Sequence, residues 1–461
     1  DIRTDLNSFL PSTINKNYSD KIINKYLSIL KKNTYLHDKI EFNLIETCYS
    51  ICSKDRLKKI FNSRITNKYL NELRKLTINI FKRKLINIEE NKLKIFKNNL
   101  ETIDKKNISP IQKIFFLSNI IKDFGTLPFA GMARMAFISQ IILLDLKKKN
   151  LISPVEFENF FNSLKLINYE LSKDHHLVLK RKLSKKIFLK KYGHIRPSTY
   201  DINSLSYKEN YKKYFSTQKN ENQIKSKTVV RFKNKKLLNK IFLKNYKISF
   251  NFFINFAKKA IVERERSKFI FSQGVDKIFE NLIKLSNEIN ISRSDLSYID
   301  IKNILNFYPK LESRKLKKAL LEEIKENKKE FEFLKMIKLP DIIKSKQDIY
   351  CFEESFSKIN FVTTKKIIGF SEEITSNSSR KMLDGKIILI KNADPGYDYI
   401  FNHKIKGLIT MYGGSNSHMA IRCLELNLPA AIGVGKLNYE NILLSEKLLM
   451  DCSKEKLYTI K

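Results

Sequence analysis

The sequence predicts a multidomain α and α/β chain: a large, mostly helical N-terminal and central region, followed by a small α/β domain. Two observations carry this. Apolar residues recur at three and four spacing up to about residue 345, where glycine and proline are scarce. After residue 345, short β-type runs alternate with turn signals such as Asp384-Gly385 and Asp394-Pro395-Gly396.

The helical periodicity is clearest through Ile22, Ile23, Tyr26, Leu27 and Leu30, and again through Ile114, Phe115, Leu117 and Ile121. Two breaks stand out, Phe124-Gly125-Thr126-Leu127-Pro128 and the turn-like stretch over residues 192–201. Residues 210–240 read as a polar, basic, exposed excursion, and Ser292 as a helix cap before Arg293. The expected strands are residues 386–390, 408–410, 430–434, 448–450 and 457–460. Together these give an N-terminal helical region at 1–110, a second helical domain at 111–340, a connector at 341–376 and an α/β domain at 377–461.

The net charge is +40 over 461 residues. Lys, Asn, Ile and Phe are enriched together, Trp is absent, and there are only 12 glycines. AT-rich coding accounts for that set. The lysines spread along the whole chain without a basic arm or an aromatic–basic RNA motif, so nucleic-acid binding is disfavoured, although the charge would help attract a phosphorylated ligand. The five cysteines are scattered, with only Cys48 and Cys52 close together, which fits a reducing compartment and no metal site. No charged-then-apolar leader opens the chain and no apolar run reaches membrane-spanning length. The expectation is a cytoplasmic protein without a membrane partner. The chain opens on Asp1 rather than Met, as a piece of a longer polypeptide would.

The most informative stretch follows the run Gly407-Leu408-Ile409-Thr410-Met411. It reads Gly413-Gly414-Ser415-Asn416-Ser417-His418-Met419-Ala420-Ile421, the pattern of a strand, a glycine turn and a helix with a histidine at its start. A helix N-terminus offers unpaired N–H groups and partial positive charge to an anion. A histidine there can hold a phosphoryl group covalently. Gly413 and Gly414 can form a tight turn and let backbone N–H groups approach phosphate. Ser417 can cap the helix, touch the phosphoryl group, or do both. Arg422 lies one helical turn beyond His418, where it can meet phosphate or pair with Glu425.

These residues, with Glu425, Leu428-Pro429-Ala430-Ala431-Ile432-Gly433 downstream and Asp394-Pro395 upstream, resemble the phosphohistidine, or swivelling, domain of phosphoenolpyruvate-utilising enzymes. The resemblance implies that His418 is the phosphoryl carrier. One departure is Leu424, where many members have arginine. The segment Gly193-His194-Ile195-Arg196-Pro197-Ser198-Thr199-Tyr200-Asp201 looks like a segment of phosphoenolpyruvate synthase-like proteins, including the rifampicin phosphotransferases. Residues 124–130 with Ala133-Arg134, and residues 263–268, fit the same group.

His194, Arg196 and Asp201 are thus candidate acceptor-site residues: an acid or base, a bidentate fork and an orienting carboxylate. A purely structural turn with an Arg196–Asp201 pair is the equal alternative. The pair His175-His176 reads as solvated, and residues 263–268 as a solvated helix face with local ion pairs.

The resemblance implies a phosphotransferase that carries a phosphoryl group on His418 from an ATP-grasp domain, in cis or in trans, to a small-molecule acceptor on the helical domain. Mg²⁺ would accompany the ATP. No glycine-rich phosphate loop is visible before the helical region, and about forty residues follow His418, too few for the family's phosphoenolpyruvate-binding barrel of roughly 250 residues. A non-catalytic scaffold or regulatory module that keeps the carrier fold is the alternative.

Overall fold

The computed structural model describes residues 2–37, 40–215, 230–306, 313–337, 339–340, 342–352, 359–374, 383–414 and 417–460. Its N-terminal part packs helices Lys16–Lys32 and Ser63–Lys82 around Ile22, Ile23, Tyr26, Leu30, Tyr69 and Leu73. Asn15 and Asn62 cap these helices by accepting from Tyr18 N and Ile65 N, which satisfies otherwise orphaned donors.

Helix Pro110–Ile120 opens on a capping box formed by Ser109 and Gln112. The expected break at residues 124–128 does not occur. A π-helical stretch, Ile121–Thr126, runs directly into helix Leu127–Lys148. Pro128 sits in the first turn of that helix, where no N–H is required of it, and the π-turn absorbs the change of phase. By length and composition the continuous segment Pro110–Lys148 could cross a membrane, contrary to the reading that no apolar run is long enough. In this fold it is a core element, 50% buried in its most apolar window.

It packs against the 40-residue helix Phe250–Ile289, hereafter the central helix, which Ser249 caps. Phe250, Phe253, Ala257, Ala260 and Ile261 meet Met135, Ile138, Ile142 and Leu146 in the largest core. Gly274 lets the crossing close: a Cβ there would stand 2.7 Å from Phe96 and 2.8 Å from Ile121.

Three smaller expectations need correction. Part of the expected excursion, residues 216–229, lies outside the described residues, but Lys235–Tyr246 is a helix that buries Leu238, Phe242 and Tyr246. His175 is not solvated; it is buried against Phe188, Tyr211 and Phe215. Residues 263–268 are not a solvated face either, since Glu263, Glu265 and Ser267 are buried. The cap at Ser292 forms as expected.

The C-terminal domain is a seven-stranded mixed sheet. Its strands are β1 (Asn360–Val362), β2 (Lys366–Glu373), β3 (Ile387–Asn392), β4 (Gly407–Tyr412), β5 (Ala430–Ile432), β6 (Lys447–Asp451) and β7 (Lys456–Ile460), in the order β1-β5-β4-β3-β2-β6-β7. The four central strands β5, β4, β3 and β2 are parallel, with β1 antiparallel at one edge and the β6–β7 pair antiparallel at the other. β3 and β4 are buried on both faces, which is why they read as unbroken apolar runs. β1 and β2 lie inside the expected 341–376 connector, so that stretch is part of the sheet rather than a simple tether. Their signal was weak because β1 has three residues and β2 carries exposed Lys366, Ile368 and Phe370.

Candidate functional site

β4 ends at Tyr412, and Gly413 turns the chain with φ +135, a conformation that favours glycine. Gly433, with φ +70, stacks directly on the Gly413 carbonyl and donates its N–H to the Thr410 hydroxyl oxygen at 3.0 Å. The turn after β4 is thereby keyed to the chain leaving β5. Gly414 accepts from Ser417 N at 3.0 Å, while Ser415 and Asn416 lie outside the described residues. Ser417 caps helix His418–Glu425 by accepting from Ala420 N at 3.3 Å, so its capping role is present.

His418 opens that helix and is 5% exposed. Its Nε2 lies 2.7 Å from Asp398 Oδ1, on the 3₁₀ helix Pro395–Asn402 of the same domain. Its Nδ1 lies 3.3 Å from Glu265 Oε2, on the central helix of the helical region. Burial by itself would lower the His418 pKa. Asp398 and then Glu265 reverse this and raise it to about 9, so the imidazole is protonated at neutral pH. Burial likewise works to raise Glu265, but Arg264 and His418 outweigh it and hold the carboxyl at about 2.

Arg422 is buried with its Nε 3.7 Å from Asp398 Oδ1 and its guanidinium 5.4 Å from the Phe401 ring. It therefore joins the His418–Asp398 group. The Glu425 side chain lies outside the described residues, so a pairing with it is not addressed. Leu424 packs against the core shared by the sheet and the helical region.

The stretch over residues 192–201 faces this group. Tyr207 N donates to Ile195 O at 2.8 Å and Lys208 N to Gly193 O at 3.0 Å, pinning it to the segment that follows. His194 Nε2 donates to Phe269 O at 3.1 Å, and its ring packs edge-on against Phe269. Burial lowers its pKa to about 3, which leaves it neutral. Arg196 is buried, bound to Asp276, to Ser204 O at 3.1 Å and to the Phe279 ring face. The alternative Arg196–Asp201 pair does not form. Asp201 is exposed and accepts from Asn203 N at 2.9 Å within its own turn.

The two domains meet along this stretch. Thr199 donates its hydroxyl to Asp394 Oδ2 at 2.9 Å, and Tyr207 donates its hydroxyl to Gly396 O at 3.1 Å. Between them lies a cavity of about 40 Å³ whose lining includes His194, Arg196, Glu265, Lys268, Phe269 and Asp398. It has room for a few water molecules. The cavity gathers His194 and Arg196 with Glu265 and Asp398, the two carboxylates that hold His418, whereas Asp201 stays outside its lining.

Sequence reasoning missed Asp398 and Glu265. Periodicity held a signal for Glu265. It follows the buried Ala257 and Ile261 at intervals of four, and Lys268 and Ser272 continue the same helix face into the cavity. Asp398 lies four residues after Asp394, but the 3₁₀ turn that aims it at His418 has no comparable pattern.

Residues 382–455 match the family model "PEP-utilising enzyme, mobile domain". The match covers the glycine turn, His418, Asp398 and most of the sheet. No curated protein matches the chain. The C-terminal unit is a PEP-utilising enzyme mobile domain, of a family concerned with phosphoryl transfer.

Proposed function

We propose that this mobile domain is the shuttle of a phosphotransferase of the phosphoenolpyruvate synthase-like group. In the first displacement, deprotonated His418 attacks a nucleotide phosphoryl group held by an ATP-grasp domain, in cis or in trans. A P–N bond forms and the P–O bond to the nucleotide breaks. In the second, an acceptor hydroxyl on the helical domain attacks the phosphoryl group, the P–N bond breaks, and the hydroxyl proton is returned to the imidazole. Splitting the transfer lets each site be shaped separately.

The observation that carries this reading is the burial of His418 against Glu265, beside a cavity that both domains line. On this reading Lys268, in the cavity lining, offsets phosphoryl charge, and His194, neutral and held by Phe269 O, orients an acceptor. Mg²⁺ would belong with ATP at the donor domain. Among the described residues no group of three or more His, Cys, Asp or Glu side chains could hold a metal, so no step is routed through one here.

Incubation with ATP, Mg²⁺ and the nucleotide domain is expected to give an acid-labile, base-stable phosphoryl adduct on His418, read by mass spectrometry. Absence of that adduct overturns the proposal. The scaffold reading draws on a specific observation: when docked, both imidazole nitrogens are taken up by carboxylates, Nε2 by Asp398 and Nδ1 by Glu265. Full partner binding by His418→Ala, with no turnover in the wild type, would favour it.

A further inference from the structure

We infer that Glu265 makes the docking surface of the helical domain selective for the discharged carrier, so that loading His418 with a phosphoryl group drives the mobile domain off that surface. The inference rests on the phosphoryl-carrier reading of His418 and adds to it a switch.

The geometry is a three-membered charge array across a domain boundary. The His418 ring lies between Asp398, which travels with it, and Glu265, which does not, at 2.7 Å and 3.3 Å. All three side chains are buried, so their interactions are little screened by water or salt. With a proton, the ring carries +1 between two carboxylates, and Glu265 holds the domains together. Once loaded, the same ring bears a phosphoryl group of charge about −2 at neutral pH. The Glu265 carboxylate then faces like charge at close range, and attraction becomes repulsion.

The neighbouring cations set the strength of the bias. Arg264 lies 3.7 Å from Glu265, Arg422 lies 3.7 Å from Asp398, and Lys268 lines the cavity. Loaded docking must draw on them, and a bound acceptor would complete the compensation. Glu265 thus weights each visit: the discharged carrier rests on the helical domain, and the loaded carrier stays only to transfer. It is a positioning residue, acting through His418.

The test uses the full chain and loads His418 chemically with potassium phosphoramidate. Phosphoramidate donates its phosphoryl group to the imidazole and leaves as ammonia. No ATP or nucleotide domain is involved, so failure of the switch is distinguishable from failure of the proposed enzyme activity. Loading at His418 is verified by mass spectrometry. Amide hydrogen exchange is then followed in two facing segments, residues 192–200 and residues 418–425. In the wild type, loading is expected to speed exchange in both on the order of tenfold. His418→Ala treated in the same way should show no change, which excludes modification elsewhere. In Glu265→Gln the difference between loaded and discharged chains should shrink to less than twofold. Equal protection of loaded and discharged wild type overturns the inference, and needs no variant to fold. So does a Glu265→Gln protein that keeps the wild-type difference.

Discussion

Gly396 of the mobile domain stacks on the carbonyl of Arg196 so closely that no side-chain atom fits between them. This backbone-to-backbone contact joins the first turn of the Pro395–Asn402 helix to the Gly-His-Ile-Arg-Pro segment of the helical domain. It brings Asp398, two residues on, within reach of both His418 and the cavity.

Gly396→Ala is therefore expected to abolish docking while leaving each domain folded. Hydrogen exchange in residues 192–200 should rise at least tenfold, with the circular dichroism of the chain unchanged. Thr199→Val, which removes the hydroxyl bond to Asp394, should act in the same direction and more weakly, by about 1 kcal/mol.

Gly433→Val acts inside the mobile domain. Gly433 has φ +70 and packs on the Gly413 carbonyl, so a β-branched side chain there meets both backbone strain and a steric clash. The expected result is distortion of the glycine turn before His418. Chemical loading with phosphoramidate should fall at least fivefold, while the helical region keeps its denaturation behaviour.

Arg196→Met removes one partner from a buried group. Asp276 would keep Lys208 at 2.8 Å but lose the guanidinium. The expected loss is about 2–3 kcal/mol, the cost of a buried charged hydrogen bond, seen as a lower denaturant midpoint. Asp201→Ala, on an exposed residue that binds only within its own turn among the contacts described, should change stability by less than about 0.5 kcal/mol.

Docking should depend on pH through His418. Its pKa when docked, about 9, lies above the ordinary 6.5, so its stabilising contribution is complete below pH 6.5 and is lost as pH rises through about 9. Glu265, held at about 2 against an ordinary 4.5, contributes fully above pH 4.5 and fades as pH falls towards 2. Thermal melting of wild type against Glu265→Gln should show a gap that is widest between pH 4.5 and 6.5 and narrows towards pH 9. A gap independent of pH would contradict the ion pair.

His175 and His194 act with the opposite sign. Burial lowers them to about 4 and about 3, so their stabilising contribution is present above pH 6.5 and is lost as the unfolded chain takes up protons below it. Replacing His175 by Phe, in its setting of Phe188, Tyr211 and Phe215, should flatten the acid limb of the stability curve. An unchanged acid limb would rule His175 out as a contributor.

Much of this protein was legible in its sequence because the physics involved is local. Helical periodicity, the Ser292 cap, the apolar runs of β3 and β4 and the glycine turn before His418 each depend on neighbours a few residues away. The carrier motif was legible for the same reason: a strand, a glycine turn and a helix start hold their chemistry within about ten residues. What tertiary structure alone decided is who meets His418. Glu265 stands 153 residues away and Thr199 stands 195 residues from Asp394, and no local rule couples such positions. The run over residues 263–268 read as solvated because its charges suggested water, whereas packing buries Glu263, Glu265 and Ser267, and Glu265 meets His418 of the mobile domain. Arg196 could not be assigned to Asp276 rather than Asp201 until the central helix was laid against its turn. Burial of a charged group is a property of the whole packing, since only the opposite charge supplied by another element makes it tolerable.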